Sequence, residues 1–168
     1  MDKIVKAATR VVNEADLRGA RMGTRFGRLD LMSQLAVLAV EPMKGLFAGT
    51  SPDRIGMVLS ARAGSLSTDA EYWDGRDRVG GPSPTLFAYT LPSAAMGEVA
   101  IRHGLRGPNL CFVGDGDEVV SEAEDMIRRG EADGCVCLIC DVVTPNAASV
   151  IEEGSGAEVR AMYLKRGS

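Results

Sequence analysis

The residues best suited to chemistry lie in a Gly-Asp-Gly-Asp-Glu corner, where Asp115, Asp117 and Glu118 bring three carboxylates together. Closely spaced carboxylates can act as a general acid and base or bind a cation. A simpler interpretation is available, because acidic residues at the start of a helix also stabilise its positive end. We therefore predict a charged corner in which Asp117 caps the following helix, with no metal site. A hydrolase or lyase that uses Asp115 or Asp117 is the weaker alternative.

Four cysteines and one histidine complete the set of candidate nucleophiles, bases and ligands: Cys111, Cys135, Cys137, Cys140 and His103. Three of the cysteines fall in a continuous apolar run that predicts a buried strand. Alternation puts Cys135 and Cys137 on one face and Cys140 on the other, so the three cannot bind one metal. We therefore predict buried, unreactive thiols and no metal or cofactor. His103 is predicted to cap a helix C-terminus and to interact with its dipole.

The elements that position these groups alternate between strand and helix. Continuous or alternating apolar runs predict strands over residues 54–61, 110–113, 135–143 and 156–166, the last at a sheet edge, and an ambiguous early segment over 4–12. Helices are predicted over 29–40, 92–102 and 118–129, with Pro42 ending the first and Ser93 capping the second. Loops are predicted over 13–27 and 73–84. This order predicts an α/β fold: one domain over residues 1–168, with a mixed or parallel sheet of about five strands and helices on both faces.

Composition limits the functional classes. The chain has 168 residues, of which 45% are hydrophobic and 25% charged, as in soluble globular proteins. Its net charge of −4 does not favour nucleic-acid binding, and no apolar run reaches the roughly 18–20 residues of a membrane helix. With no recognisable signal peptide, we expect a cytoplasmic location. Residues 1–30 carry seven basic and four acidic side chains, whereas residues 113–160 carry three and twelve. This uneven charge has two alternative explanations. The charged side chains are solvated helix faces, or the basic segment forms an edge that meets an acidic partner such as an acyl carrier protein.

Residues 86–130 combine a small-residue helix, the run IRHGLRGPN at 101–109, a short apolar strand, the acidic corner and an amphipathic helix. This passage resembles the N-terminal half of the β-ketoacyl synthases, a family of thiolase-like condensing enzymes. In that family a P-x-x-x-x-A-x-G helix leads to I-R-x-G-L-x-G-P-N, a strand, and a nucleophilic Cys at the start of a buried helix. Weaker similarity over residues 25–42 and 53–58 extends the resemblance to most of the chain. It implies half of a thiolase-like fold.

The resemblance also implies which catalytic groups are missing. Aligned on residues 107–109, the S-A-C-A-x-G nucleophile elbow of the family falls on residues 114–117. The segment up to Gly130 is about three residues shorter than the family pattern, so either Gly116, flanked by Asp115 and Asp117, or a gap stands where the nucleophilic Cys is expected. Cys111 lies several residues too early to replace it. The family further uses two His, or His and Asn, with a Lys from a C-terminal half, whereas this sequence contains a single histidine. We therefore assign no catalytic residue.

Inactive family members such as chain-length factors suggest what such a chain does. The resemblance implies a non-catalytic accessory subunit of fatty-acid or polyketide biosynthesis, acting with a full-length ketosynthase, an acyl carrier protein, or both. Its candidate acyl-channel or partner-contact residues are Phe87, Tyr89, Leu91 and Met96. Its candidate oligomer-strand residues, expected to pair across a two-fold or pseudo-two-fold interface, are Leu110, Cys111, Phe112 and Val113. Core packing explains both sets equally well.

Two further expectations concern assembly and alternatives. Half of a duplicated fold exposes surface that its duplicate would cover, so we expect a homo- or hetero-oligomer. The second functional hypothesis is a stand-alone protein that binds acyl thioesters or acyl carriers without chemistry. It predicts a pocket of roughly several hundred cubic ångströms instead of a flat apolar face. A degenerate remnant with little function of its own also stays open.

Overall fold

The computed structural model describes residues 3–167, and its framework is a five-stranded mixed sheet in the order β1-β5-β4-β2-β3. The strands are β1 (Ile4–Asn13), β2 (Ile55–Ala61), β3 (Asn109–Val113), β4 (Gly134–Val143) and β5 (Gly156–Arg166). The α-helices are α1 (Leu31–Val40), α2 (Leu66–Asp74), α3 (Pro84–Phe87), α4 (Ser93–His103), α5 (Val119–Arg128) and α6 (Pro145–Ile151). The predicted α/β class, mixed sheet and strand positions are confirmed.

The sheet has an antiparallel half and a parallel half. β5 lies between β1 and β4 and runs antiparallel to both, whereas β4, β2 and β3 run parallel to one another. The prediction that β5 is an edge strand was therefore wrong, because the early segment that was ambiguous in the sequence forms β1 and pairs along it. The two edges of the sheet are β1 and β3. The carboxyl ends of β2, β3 and β4 meet at one end of the sheet, where open α/β sheets bind ligands.

Helices cover both faces of the sheet, as predicted. α1 and α4 pack on one face, and α5 packs on the other. Cys135 and Cys137 point into the core under α5, and Cys140 points into the core under α1. The predicted split of these cysteines between the two faces of β4 is confirmed. All four cysteines are free thiols.

Helix α1 is fixed at its start by a buried polar contact. Asp30, only 8% exposed, accepts hydrogen bonds from the Ser33 backbone N–H at 3.1 Å and from the Thr68 hydroxyl at 2.9 Å. The first bond caps α1, and the second joins α1 to α2 across 38 residues of sequence. α1 is apolar on most of its circumference, since eight of its ten residues are buried. Such a helix must be covered on more than one side.

Several predicted helix ends differ from the structure. α5 begins at Val119 with Glu118 at the N-cap position and no side-chain cap, so Asp117 does not cap it. α4 likewise has Pro92 at its N-cap position, where Ser93 was predicted. By contrast, α1 ends at Val40, as predicted, and the chain continues past it as a 3-10 helix, Glu41–Phe47, that contains Pro42. Proline is tolerated there, since the first turn needs no N–H at that position.

Three helices, α2, α3 and α6, lie where the sequence predicted a loop or gave no prediction. α2 and α6 pack against each other beside the carboxyl end of β4. The Ser67 hydroxyl donates to Val142 O at 3.0 Å, and its oxygen accepts from the Thr144 N–H at 3.0 Å, so α2 is tied to the end of β4. The predicted loop over 13–27 also contains short 3-10 helices, Glu14–Leu17 and Phe26–Arg28.

Candidate functional site

The site that the sequence singled out lies where the parallel strands end. The chain leaves β3 at Val113 and turns through Gly114, whose N–H donates to Ala61 O at 3.2 Å. The buried Ser60 hydroxyl donates to Gly114 O at 2.7 Å. Both contacts hold the acidic corner against the last residues of β2. The corner is therefore a fixed part of the sheet end and leads directly into α5.

Gly116 is the turning point of this corner, and its backbone excludes a side chain. Its φ is +91°, in the region that residues other than glycine rarely adopt. A β-carbon at this position would lie 2.7 Å from Ile139 Cγ2 and 3.0 Å from Ile139 Cγ1. Ile139 belongs to β4, so the centre of the sheet fills the space that a nucleophile at 116 would need. A cysteine here requires both backbone strain and displacement of Ile139.

The three carboxylates of the corner are spread over the surface. Asp115, Asp117 and Glu118 are exposed, and only Asp115 lines the neighbouring groove. Within residues 3–167 no group of three or more His, Cys, Asp or Glu side chains is arranged to hold a metal ion. The geometry thus gives no support to the acid–base alternative, which needs a carboxylate enclosed in a cleft.

An open groove of about 630 Å³ runs along this end of the sheet. Its lining residues are Arg62, Ala63, Gly64, Ser65, Leu66, Asp69, Pro92, Val113, Asp115, Ile151 and Glu153. Arg62 is held in place, because its Nε donates to Asp141 Oδ1 at 2.9 Å and its Nη1 donates to Glu153. The hydrogen bonds that Arg62 donates to Glu153 and Asp141 raise the pKa of its guanidinium. Its charge is therefore neutralised within the protein. Sequence reasoning missed this groove because it missed α2 and α6, which form its sides.

The cysteines are held in a form unsuited to nucleophilic attack. Burial raises the pKa of the half-buried Cys111 thiol and that of the fully buried Cys140 thiol. A hydrogen bond with Cys135, together with burial, raises the pKa of the Cys137 thiol. Reactive cysteines need the opposite, a lowered pKa and an exposed position. These thiols behave as small apolar side chains of the two cores.

The four candidate acyl-contact residues lie in different environments. Phe87 and Leu91 are 61% and 64% exposed, whereas Met96 is buried in the core between α1 and α4. Tyr89 is half-buried, and its hydroxyl donates to Glu98 Oε1 at 3.1 Å. Burial, followed by the Glu98 charge, raises the pKa of Tyr89. The structure therefore brings Phe87 and Leu91 to the surface but places Met96 away from them, on the core side of α4.

The four candidate oligomer-strand residues form β3, which pairs with β2 on one side only. Leu110 and Phe112 pack toward the core under α5, and Cys111 packs toward the core under α1 and α4. Val113 is 69% exposed. An edge strand presents unpaired N–H and C=O groups that can pair with another chain. β3 therefore has an unpaired edge, which pairing with a strand of another chain requires.

His103 ends α4 but is not a charged helix cap. Gly104, with φ +67°, is the C-cap residue. The imidazole is nearly buried, packs edge-on against Phe47 at 5.7 Å between ring centroids, and lies 3.8 Å from Glu41 Oε2. Burial lowers the pKa of His103, and Arg102 and Lys44 add to this effect against the opposing attraction of Glu41. The predicted capping role was wrong, because Gly104 holds the C-cap position, and burial favours the neutral ring, which weakens any interaction with the helix dipole.

Among known proteins, the chain is similar in sequence and in fold to ketosynthases. No protein-family model matches the chain. It is 31% identical over 152 residues to a putative polyketide β-ketoacyl synthase 1 from Streptomyces virginiae, covering 79% of this chain and 36% of that protein. The chain therefore spans about a third of the length of this curated relative. No helix within residues 3–167 is long and apolar enough to cross a membrane.

Solved structures of low sequence identity share the fold. A type II polyketide ketosynthase complex with its acyl carrier protein matches with a TM-score of 0.80 at 14% identity, over 99% of this chain and 63% of that one. The ishigamide ketosynthase/chain length factor matches with a TM-score of 0.74 at 19% identity, over 88% and 47%. A ketosynthase in complex with its chain length factor from Xenorhabdus doucetiae matches with a TM-score of 0.70 at 14% identity, over 100% and 80%.

These matches bear out the resemblance that the run at residues 101–109 first indicated. The mixed five-stranded sheet with helices on both faces is the thiolase-like arrangement of the solved ketosynthase structures. The sequence similarity to a polyketide β-ketoacyl synthase extends over most of the chain. The chain is therefore a relative of the β-ketoacyl synthases and resembles the N-terminal half of that family.

Proposed function

We propose that this protein is a non-catalytic ketosynthase-like accessory subunit of polyketide or fatty-acid biosynthesis. It acts by association with an active β-ketoacyl synthase, with an acyl carrier protein, or with both. The observation that carries the proposal is the contact between Gly116 and Ile139. In the corner where the resemblance puts the nucleophile, the chain has a glycine with φ +91° and an isoleucine where a side chain at 116 would lie.

The surrounding chemistry supports the absence of acyl transfer. The family forms its thiolate at a helix N-terminus, where the dipole and backbone N–H groups lower the pKa of the cysteine. Here the start of α5 carries Asp117 and Glu118, whose charges would oppose a thiolate. Burial raises the pKa of Cys111, the cysteine that precedes the corner in sequence.

Helix α5 differs from the buried helix of the family resemblance. Val119, Ala123, Met126 and Ile127 face the sheet. The opposite face is polar, and on it Arg128 forms ion pairs with Glu124 and with Asp125, the latter at 2.7 Å. A charged face of this kind is stable against water without a covering layer. We therefore place the association surface of the subunit at β3 and not on α5.

The free edge of β3 is suited to association. Backbone pairing across an edge strand needs exposed N–H and C=O groups and tolerates varied side chains. The half-buried Leu110 and Phe112 beside the exposed Val113 would add apolar contact area. The solved relatives include ketosynthases in complex with a chain length factor and with an acyl carrier protein. We carry this mode of assembly over to the chain as part of the proposal.

A second candidate function has one observation in its favour. The groove of about 630 Å³ at the carboxyl ends of the strands has the volume of a small-molecule site. A stand-alone protein that binds acyl thioesters would use it. The groove is open and Arg62 within it is already paired, so a phosphate group of the ligand would have to compete with Asp141 and Glu153. We rank this function second for that reason.

Affinity purification of the tagged chain from its native lysate, with mass spectrometry and light scattering, separates the two functions. The accessory-subunit proposal predicts a ketosynthase or acyl carrier protein at a fixed stoichiometry, which a Val113→Lys variant no longer retains. An Ile101→Lys variant is the control, because Ile101 is 65% exposed on α4, away from β3. A partner-free homodimer would contradict the proposal. Co-purification of an acyl thioester with a partner-free chain would favour the second function.

A further inference from the structure

A groove between α2 and α6 combines exposed apolar walls with an acidic rim. Its volume is about 490 Å³, and its lining residues are Leu66, Asp69, Ala70, Trp73, Asp74, Asn146, Ser149 and Val150. Trp73 on α2 and Val150 on α6 are each 64% exposed. Large exposed apolar side chains that flank a groove mark a binding surface more often than isolated ones do. Neither the Gly116 corner nor the β3 edge uses these residues.

The groove is a fixed feature of the fold. Asn146 Nδ2 donates to Asp74 Oδ2 at 2.8 Å and so joins the two helices at one end. Beneath them, Leu66 and Ile151 pack against Val143, Ala147 and Ala148 in a small core of their own. The distance between Trp73 and Val150 is therefore set by packing and not by the occupant. A preformed groove loses little entropy when it binds.

The charges around the groove favour one kind of occupant. Asp69 and Asp74 line it, and no Lys or Arg is among its lining residues. The groove at the strand ends, which shares Leu66 and Asp69 with it, adds Asp115, whereas the charges of Glu153 and Arg62 there pair with each other. This surface repels an acidic partner and attracts a cationic one.

The chain itself shows that the Trp73 ring accepts a cation. The Arg76 guanidinium lies 4.5 Å from the centroid of the Trp73 ring, and Arg76 also pairs with Asp77 at 3.3 Å. Guanidinium and ammonium groups are attracted to the faces of aromatic rings. Arg76 already covers one face of the ring, but Trp73 stays 64% exposed, so a partner can pack an apolar side chain against Trp73 and Val150 and place Lys or Arg beside Asp69 and Asp74.

We propose that the α2–α6 groove binds a short cationic amphipathic helix of a partner protein. An apolar residue of that helix inserts between Trp73 and Val150, and Lys or Arg residues one turn away pair with Asp69 and Asp74. Anchors spaced one helical turn apart are the usual way in which a helix occupies an apolar groove. This surface is separate from the proposed ketosynthase association at β3, so either can fail without the other.

Trp73 provides the measurement, because it is the only tryptophan in the chain. The full-length protein is titrated with a synthetic helical peptide of Leu and Lys residues, Leu at helical spacing, while Trp73 fluorescence is followed. A saturable change is expected, together with weaker binding at high salt. The same peptide with Glu in place of Lys should cause no change. Absence of binding by the Leu–Lys peptide up to about 1 mM would overturn the proposal.

Matched variants test whether binding occurs in the groove. The double variant Asp69→Asn with Asp74→Asn, the rim pair, should weaken binding about fivefold or more. Each ion pair between one of these carboxylates and a lysine of the peptide contributes a modest amount. Val150→Ser should weaken it by removing an apolar wall. The control is Glu124→Gln with Asp125→Asn, which removes two charges from the outer face of α5. Equal weakening by the control pair, or no weakening by the rim pair, would show non-specific charge attraction and overturn the proposal. Unchanged unfolding midpoints will verify that each variant is folded.

Discussion

Ile139 on β4 occupies the space that a side chain at position 116 would need, since a β-carbon built on Gly116 lies 2.7 Å from Ile139 Cγ2. The two residues are 23 positions apart in the sequence and meet where the parallel strands end. Gly116 also has a φ of +91°. The corner at Gly116, near which the family resemblance puts the nucleophile, is thus closed to a side chain by backbone conformation and by packing together.

Replacement of Gly116 should therefore be costly. We expect Gly116→Ala and Gly116→Cys to lower the free energy of unfolding by about 1–3 kcal/mol from backbone strain alone, with a further loss from the contact with Ile139. Urea denaturation measures both. Gly97→Ala is the control, because Gly97 lies in α4 with open space around it, and it should gain about 0.5–1 kcal/mol. Wild-type stability of Gly116→Ala would contradict the closed position.

The buried Asp30–Thr68 bond should stabilise the junction of α1 and α2. Thr68→Val keeps the shape of the side chain but leaves a buried acceptor of Asp30 without its donor. We expect a loss of about 1–3 kcal/mol in unfolding free energy. Thr9→Val, at an exposed position on β1, is the control and should change stability by less than about 0.5 kcal/mol. A loss no larger than that of the control would show that the Asp30–Thr68 bond adds nothing to stability.

His103 should make stability depend on pH in a defined window. Burial places its pKa in the folded protein below the value of about 6.5 in the unfolded chain. The unfolded state then binds more protons, so stability is full above pH 6.5 and falls as the pH decreases toward the lowered folded-state pKa. His103→Phe keeps a ring against Phe47 and removes the titration. In this variant the urea unfolding midpoint should change less between pH 8 and pH 5 than it does in the wild type. An unchanged pH dependence would contradict the lowered pKa of His103.

Two paired carboxylates, Glu41 and Asp133, should make stability depend on pH at lower pH values than His103 does. A hydrogen bond from Arg102 lowers the pKa of Glu41, and one from Arg54 lowers the pKa of Asp133. Their contributions are present above the unfolded-state values of about 4 and are lost as the pH falls through the lowered folded-state values. Arg54→Met should therefore reduce stability at pH 7 and leave it unchanged at the acidic end of that range. Because the Arg54–Asp133 pair is 39% and 44% exposed and therefore screened by water, we expect only a small loss at pH 7. An equal loss at both pH values would show that packing, and not charge, accounts for it.

The sequence was most informative where a residue's role depends on its own strand or turn. The alternation of Cys135, Cys137 and Cys140 correctly assigned the two faces of β4, because side-chain direction in a strand follows from position alone. The run at residues 101–109 correctly indicated the family. The position of β5 was wrong, because a central strand and an edge strand can share one alternating pattern, and its neighbour β1 lies at the other end of the chain.

The candidate site depends on contacts between distant residues. The resemblance put the nucleophile position at or near Gly116 but could not show that Ile139 packs against that glycine, since the contact requires the register of β4 against the corner. Sequence reasoning also missed α2 and α6, because both are short, and with them both grooves. Whether Phe87, Tyr89, Leu91 and Met96 contact an acyl chain or a partner stays a prediction.

The central claim is that this ketosynthase relative does not form an acyl-enzyme. The most direct test is intact-mass analysis of the purified protein after incubation with acyl thioesters of coenzyme A and of an acyl carrier protein, with an active ketosynthase as positive control. The account predicts the unmodified mass under conditions that fully acylate the control. A stoichiometric acyl adduct on Cys111, Cys135, Cys137 or Cys140 would contradict it.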